Sequence, residues 1–120
     1  MCFTRRRSIR GFSRARKWDW VDQTMRHSLG WVVARDNGRL VGFVNVISDG
    51  LVHAWLQDVV MVAAKAQRQG VGVQLVRHAR EGAARAGCEY LHVDFEEELG
   101  PFYLEACGFT PTSAGLIRLR

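Results

Sequence analysis

The feature that most constrains this chain is a glycine-rich junction between a strand pattern and a helix pattern, at residues 60–73. An apolar run ends there, a polar loop follows, and Gly70 and Gly72 open an amphipathic segment. Glycine lets a ligand approach the backbone closely, and the free N–H groups at a helix start favour negative charge. The junction therefore predicts a phosphate or pyrophosphate site. It is not a P-loop, because no Gly-Lys-Ser/Thr follows, and Leu75 stands where a dinucleotide fingerprint needs its third glycine.

The patterns on either side of this junction indicate the fold class. Strands are predicted at residues 31–35 and 40–46, joined by a tight turn at Asn37-Gly38, and a third strand at residues 53–62. A helix with one apolar face follows from Gly70, and a further strand is predicted at residues 90–95. A meander followed by a βαβ unit is an α/β (α+β) arrangement, with a mixed, mostly antiparallel central sheet. The strand at 90–95 should lie parallel to the strand at 53–62.

Shorter elements are predicted outside this core. Apolar residues at helical spacing predict a short helix over residues 18–29, which Gly30 ends. Another short helix is predicted over residues 101–107, ended by Gly108. The chain closes with two short apolar runs, at Phe109 and at residues 116–119.

Length and composition bound the class of protein. The 120 residues fit a single domain, 1–120, and contain no apolar run of the roughly 18 residues that a membrane-spanning helix requires. The three cysteines, Cys2, Cys88 and Cys107, lie far apart and form no C-x-x-C pair. This spacing argues against a disulfide framework and against a metal site, and it predicts a cytoplasmic protein with reduced thiols.

The net charge of +5 comes from one end of the chain. Residues 1–17 hold seven basic side chains and no acid, whereas residues 18–120 hold ten basic and twelve acidic side chains. The folded part is therefore slightly acidic, which disfavours nucleic acid as a partner. We expect the arm at 1–17 to be solvated or weakly packed, although a phosphate-binding arm or a targeting segment would have the same composition.

Residues 67–72, Gln-Arg-Gln-Gly-Val-Gly, match the signature Gln/Arg-x-x-Gly-x-Gly/Ala. The sequence here resembles the GNAT superfamily of acyl-CoA-dependent N-acetyltransferases. Residues 40–43 are similar to the second hairpin strand of that family, residues 91–93 to its fifth strand, and residues 102–109 to its last helix-to-strand turn. The resemblance covers residues 30–119 and implies the GNAT-like fold, with an abbreviated N-terminal helical part.

The resemblance also implies how acetyl-CoA would bind as co-substrate. The strand backbone at the junction would pair with the pantetheine arm, where the fourth and fifth strands diverge, and the loop and the helix start would hold the pyrophosphate. The implied cofactor-binding residues are Val60, Met61, Val62, Gln67, Arg68, Gln69, Gly70, Val71, Gly72 and Val73.

For catalysis, the resemblance implies direct attack of a neutral amine on the thioester. Tyr103 would protonate the departing thiolate, and Asp58 or His92, on the two diverging strands, would serve as base. In the family the tyrosine usually precedes the glycine of Gly-Phe by four residues, whereas Tyr103 precedes Gly108 by five.

Each of these residues also has a structural interpretation. Tyr103 is an aromatic residue that could close the core, Asp58 could be a salt-bridged group, and His92 could be a half-buried histidine. Cys107 is interpreted as a packing residue, and His53 as a surface residue. The alternative function is an acyl-CoA-binding module with little turnover. The predicted partner is a small-molecule or peptide amine, and an exposed sheet edge is compatible with a homodimer.

Overall fold

The computed structural model describes residues 2–4, 26–61 and 70–120. Its described strands form a single sheet in the order β1-β2-β3-β4-β5. They are β1 (Cys2–Thr4), β2 (Ser28–Asp36), β3 (Arg39–Ser48), β4 (His53–Met61) and β5 (Tyr90–His92). Neighbouring strands are antiparallel except β4 and β5, which are parallel. The predicted mixed, mostly antiparallel sheet is therefore confirmed.

The turns between the first long strands follow from local chemistry. Asn37 and Gly38 both have positive φ angles, 52° and 80°, as a two-residue hairpin loop of type I′ requires. Between β3 and β4, the Asp49 carboxylate accepts hydrogen bonds from the amides of Leu51 (2.7 Å) and His53 (3.2 Å). The Leu51 amide is the main reason that the pKa of Asp49 lies below its usual value.

The helix of the βαβ unit, α1 (Val71–Arg85), packs on β2 and β3. Its buried residues recur at helical spacing and face the sheet. They are Gly72, Leu75, Val76, Ala79, Gly82 and Ala83. Gly87, at φ 99°, follows the end of the helix in the left-handed conformation that the sequence predicts. The main core thus lies between α1 and one face of the sheet, here called the first face.

The opposite, second face of the sheet has its own small core. Trp31 is 1% exposed and Val33 is buried beside it, with Leu40 and Phe43 packed against them. Because side chains alternate along β2, these residues point away from α1, whereas Val32 and Ala34 point toward it.

The structure differs from the sequence prediction at the start of the sheet. The predicted helix at 18–29 does not extend to Gly30, because Ser28 and Gly30 already pair with β3, opposite Ile47 and Val46. Residues 18–25 lie outside the described residues, as does the loop predicted at 63–69. Within the basic arm, Cys2–Thr4 form β1 and pair with β2. These three residues are therefore part of the sheet, contrary to the expectation of a solvated arm.

Two further differences concern the last third of the chain. The predicted strand at 90–95 ends at His92, where β5 loses its pairing with β4. The apolar run at 116–119 forms no strand and lies exposed. A 3₁₀ turn (Glu97–Leu99) and a π-helix (Pro101–Ala106) stand between them, the latter in place of the predicted short helix. No helix among the described residues is long and apolar enough to span a bilayer.

Candidate active site

An opening between β4 and β5 is the first element of the site. The two strands pair only at His53 with Tyr90, Ala54 with Leu91 and Trp55 with His92. Farther along β4, Gln57 pairs with Asn45 of β3 and Val60 with Phe43, so two β4 residues face one β3 residue. This arrangement is a β-bulge, which bends a strand and is frequent next to active sites. The bulge at Asp58 and Val59 therefore lies three residues beyond the last β4–β5 pair, in the part of β4 that has no β5 partner.

The start of α1 is the second element. Gly70 caps the helix in the left-handed conformation, at φ 75°, with no side-chain hydrogen bond and no acidic residue in the first turn. The helical hydrogen bonding starts with the amide of Gln74, which donates to the Gly70 carbonyl at 3.3 Å. Among the described residues, the amides of Val71, Gly72 and Val73 thus have no acceptor from a preceding helical turn. These three amides fit a phosphate group.

The predicted cofactor residues fall into two groups. Val60 and Met61 contribute their backbone to β4, and Gly70, Val71, Gly72 and Val73 form the helix start. Val62, Gln67, Arg68 and Gln69 lie outside the described residues. The binding role assigned to both groups stays a prediction.

Gly72 has a packing reason to be glycine as well. A Cβ atom at this position would lie 3.1 Å from the ring of Phe102, closer than most such contacts. The missing side chain thus lets the π-helix approach the first turn of α1. A larger residue at Gly72 would disturb both packing and any bound phosphate.

Tyr103 lies on the π-helix and is buried, with 5% exposure. Its ring stacks on Phe95 at 4.9 Å between centroids and meets Phe102 and Phe109 edge-on, at 4.8 and 6.0 Å. Burial, with a smaller contribution from Cys107, raises the pKa of the phenol. The hydroxyl therefore keeps its proton at neutral pH. The structure agrees with aromatic packing and leaves the phenol available as a proton donor.

His92 lies at the last β4–β5 pair and contacts a second histidine. Its Nε2 atom is 2.8 Å from Nδ1 of His53. The two rings form a cluster with Trp55 and Tyr90, named here the ring cluster, whose neighbouring centroids are 5.0 to 6.0 Å apart. Residues two apart on one strand share a face, and Trp55 alternates with the core residues Ala54 and Leu56. The ring cluster thus lies on the second face of the sheet.

The interpretation of His53 as a surface residue missed this contact. His53 is half-buried and hydrogen-bonded. The His-x-Trp and Tyr-x-His patterns gave a signal, because each places two rings on one side of a strand. The βαβ pattern predicts that these two strands are neighbours, but the sequence leaves open the register that brings the two histidines into contact.

Two candidate residues, Asp58 and Cys107, remain to be placed. Asp58 contributes its backbone to the bulge, but its side chain lies outside what the structure describes. Cys107 is a half-buried free thiol whose pKa is raised by burial, which supports its interpretation as a packing residue. In the described part of the chain, no group of three or more His, Cys, Asp or Glu side chains is arranged to hold a metal ion.

Two buried polar atoms lie on the same face as the ring cluster. Trp31 and Asn45 are register partners on β2 and β3, and Asn45 pairs in turn with Gln57 of β4. Neither Nε1 of Trp31 nor Oδ1 of Asn45 has a hydrogen-bond partner among the described residues. An unpaired buried donor and acceptor are costly, so this row next to the bulge is suited to contact a polar ligand.

The comparison with family models decides the assignment. The model of the acetyltransferase (GNAT) domain matches residues 27–111, most of the chain. The chain belongs to the GNAT family of acetyltransferases. The resemblance and the fold predicted from residues 67–72 and their neighbours are thus confirmed. This GNAT enzyme transfers an acetyl group from acetyl-CoA to an amine.

Solved structures agree with this assignment. A candidate acetyltransferase from Deinococcus radiodurans R1 is 25% identical, with a TM-score of 0.69, and the match covers 83% of this chain and 68% of that one. A GNAT family acetyltransferase from Streptococcus pneumoniae TIGR4 is 24% identical (TM-score 0.67, 84% and 80% coverage). AAC(6')-Iy, solved with the bisubstrate analogue CoA-S-monomethyl-acetylneamine, is 17% identical (TM-score 0.67, 82% and 74% coverage) and shares the fold. No curated protein matches this chain.

Proposed function

We propose that this GNAT enzyme acetylates a primary amine of a small molecule, peptide or protein by direct attack on acetyl-CoA. The observation that carries the proposal is the opening between β4 and β5, which begins after Trp55 and His92 and contains the β-bulge of β4. In such an opening the β4 backbone near Val60 is free of β5 and can pair with the pantetheine arm. A strand amide there could also stabilise the tetrahedral oxyanion.

The pyrophosphate would bind at the start of α1. The uncapped first turn supports this assignment, because its amides lack intrahelical acceptors and no carboxylate competes for them. The loop residues Gln67, Arg68 and Gln69 would complete this site, with the Arg68 side chain on another phosphate, and the Val62 backbone would pair with the pantetheine arm. Acetyl-CoA is a co-substrate here, and the proposal includes no metal.

The reaction forms a bond between nitrogen and the acetyl carbon and breaks the bond between that carbon and sulfur. A base takes the ammonium proton before attack to give the neutral amine, a second nitrogen proton leaves as the tetrahedral intermediate collapses to the amide, and an acid protonates the thiolate. Tyr103 is the proposed acid, because its raised pKa keeps the phenol protonated at neutral pH. Asp58 and His92 are the proposed bases.

His53 adds a proton route to the base proposed at His92. The 2.8 Å contact lets His92 pass a proton to His53, whose own side chain is partly exposed to solvent. On the same face, Trp31 Nε1 and Asn45 Oδ1 would contact polar groups of the acceptor.

The acceptor proposed is cationic in its free form. Glu96, Glu97 and Glu98 begin four residues after the end of β5 and are exposed, so they would attract an ammonium group toward the opening. A peptide amine and a small-molecule amine are both compatible with this rim. A cytoplasmic location, where acetyl-CoA is available, stays a prediction from the cysteine pattern.

A steady-state assay of free thiol release from acetyl-CoA, run across a panel of small and peptide amines, tests the proposal. Amine-dependent release is expected for at least one class, above the hydrolysis measured without amine. Calorimetry of CoA binding distinguishes the alternative function. A chain that binds CoA but releases no thiol with any amine is an acyl-CoA-binding module, and one that does not bind CoA refutes both.

A further inference from the structure

A cleft of about 580 Å³ opens beside the proposed cofactor site. Its walls are one side of α1, the strand β5 and the chain at residues 106–112. Val73 lines the cleft, and its amide is also one of the three amides that fit a phosphate group at the start of α1. The cleft and the proposed pyrophosphate site are therefore neighbouring parts of one surface. A volume of this size is typical of small-molecule sites.

The wall that α1 contributes to the cleft is a single stripe of the helix. Val73, Arg77, Arg80 and Ala84 follow one another at spacings of four, three and four residues, which place them on one side of the helix. Because each residue advances the helix by about 1.5 Å, Arg77 lies about 6 Å and Arg80 about 10 Å along the axis from Val73. The stripe thus leads from the free amides to two guanidinium groups within two turns.

The two arginines of this stripe are free to bind an anion. Both are exposed, and neither forms an ion pair or a hydrogen bond with another described residue. Among the described lining residues, Glu89 is the only carboxylate, and it stands on the opposite wall, just before β5. The α1 wall of the cleft therefore presents unpaired positive charge.

CoA carries a third phosphate group that the pyrophosphate site does not hold. This group is a monoester on the 3′ oxygen of the same ribose whose 5′ oxygen carries the pyrophosphate, so both must bind close together. Arginine forms short, charge-assisted and often bidentate hydrogen bonds with phosphate oxygens. The position of Arg77, one turn beyond Val73, therefore suits the 3′-phosphate of a CoA molecule whose pyrophosphate lies at the helix start.

We propose that Arg77 and Arg80 bind the 3′-phosphate of acetyl-CoA, and that they distinguish the cofactor from its 3′-dephosphorylated form. The inference rests on the cofactor site proposed above. The adenine ring on the same ribose would enter the cleft, where Val76 and Ala83 are apolar lining residues. Arg68, which precedes α1 in the sequence, would stay with the second phosphate group of the pyrophosphate.

Calorimetry with CoA and with 3′-dephospho-CoA, on the full chain at low ionic strength, tests the proposal. The native chain should bind CoA at least about ten-fold more tightly, because the charge-assisted hydrogen bonds to the 3′-phosphate are absent with dephospho-CoA. The double variant Arg77→Gln/Arg80→Gln should bind CoA at least about ten-fold more weakly than the native chain, and dephospho-CoA within about two-fold of it. Added salt should reduce the native preference, since both arginines are exposed.

Arg85→Gln/Arg118→Gln is the matched control, because it removes two exposed arginines that do not line the cleft. It should keep the native preference for CoA, and thermal unfolding checks that both double variants are folded. The proposal would be wrong if the native chain bound both ligands equally, or if Arg77→Gln/Arg80→Gln still preferred CoA. A preference lost in Arg68→Gln but kept in Arg77→Gln/Arg80→Gln would assign the 3′-phosphate to the loop instead. A native chain that binds neither ligand would refute the cofactor site itself, and the inference with it.

Discussion

The amide of Cys107 donates a hydrogen bond of 2.9 Å to the carbonyl oxygen of Phe102, five residues earlier. This bond is the i to i+5 closure of a π-helix, which contains one more residue per closed turn than an α-helix. The next closure is also one residue longer than usual. The Phe109 amide donates to the Tyr103 carbonyl (3.0 Å), six residues apart, where a Schellman motif closes over five.

These two bonds account for the spacing between Tyr103 and Gly108. The π turn takes up the additional residue, so the fifth residue returns to the face that the fourth would occupy in an α-helix. Gly108 then adopts φ 83° and starts the final segment. The longer spacing is thus compatible with Tyr103 as the acid, a role that stays a proposal.

Replacement of the phenol tests that role. Tyr103→Phe should lower kcat by about 10- to 1,000-fold, because the thiolate would lose its proton donor, with little change in the Kd for acetyl-CoA. Tyr90→Phe is the control, because it removes the same hydroxyl group from an exposed tyrosine on β5, outside the π-helix that carries Tyr103. Steady-state kinetics and calorimetry measure both quantities. Full activity in Tyr103→Phe would restrict Tyr103 to aromatic packing.

Much of the fold follows from local sequence. Asn37 and Gly38 supply the two positive φ angles of a hairpin, and Gly87 supplies the positive φ angle that follows the helix end. The apolar spacing from Val71 to Ala83 forms the face of α1 that packs on the sheet. These features depend on a few neighbouring residues, so the sequence predicts them. The first turn of α1 is predictable for the same reason.

Tertiary contacts determine what the sequence left open. The π turn depends on how Phe102 fits against Gly72, and the contact between His53 and His92 depends on the β4–β5 register. The helix pattern that ends at Leu29 is overridden by pairing of Ser28 and Gly30 with β3. The strand pattern at 116–119 finds no partner among the described strands and forms no strand.

The charge preference of the helix start can be tested at Gly70. A Cβ atom there meets nothing within 4 Å, and Asp and Asn both tolerate a positive φ better than other residues. Gly70→Asp should raise the Kd for CoA at least about ten-fold relative to Gly70→Asn, or about 1.4 kcal/mol, because the carboxylate repels pyrophosphate. Calorimetry measures the difference, and thermal unfolding checks that both variants are equally folded.

The isosteric pair separates charge from shape. Equal CoA affinity in Gly70→Asp and Gly70→Asn would contradict a pyrophosphate site at the start of α1. Gly72 is less suitable for this test, because any side chain at that position also crowds Phe102.

Alkaline pH should weaken the fold through Tyr103 and Cys107. Burial raises the pKa of both groups in the folded state, so the folded chain binds more protons than the unfolded chain at high pH. The free energy of unfolding should therefore fall as the pH rises above about 9 for the thiol and about 10 for the phenol, near their ordinary pKa values.

Urea unfolding at pH 7.5 and at pH 10.5 measures this effect. The double variant Tyr103→Phe/Cys107→Ala removes both ionisable groups, so it should lose less stability between the two pH values than the native chain. An identical loss in both proteins would mean that neither group ionises with difficulty in the folded state.

The contact between His53 and His92 predicts a coupled effect on catalysis. If His92 takes the amine proton and passes it to His53, His92→Gln should lower kcat/KM at neutral pH by about 100-fold, within the range for acid–base steps. The loss should shrink as the pH rises, because a growing fraction of the amine is already deprotonated. His53→Gln should have a smaller effect, since His92 could still release its proton directly to solvent.

The double variant His53→Gln/His92→Gln decides whether the two rings act together. Residues in one proton route are not additive, so the double variant should be no slower than His92→Gln alone. His78→Gln is the matched control, because His78 lies half-buried on α1, outside the ring cluster. Additive losses, or pH profiles that match the native enzyme, would mean that the histidine pair only packs β4 against β5. Asp58 or solvent would then remain as the route for the proton.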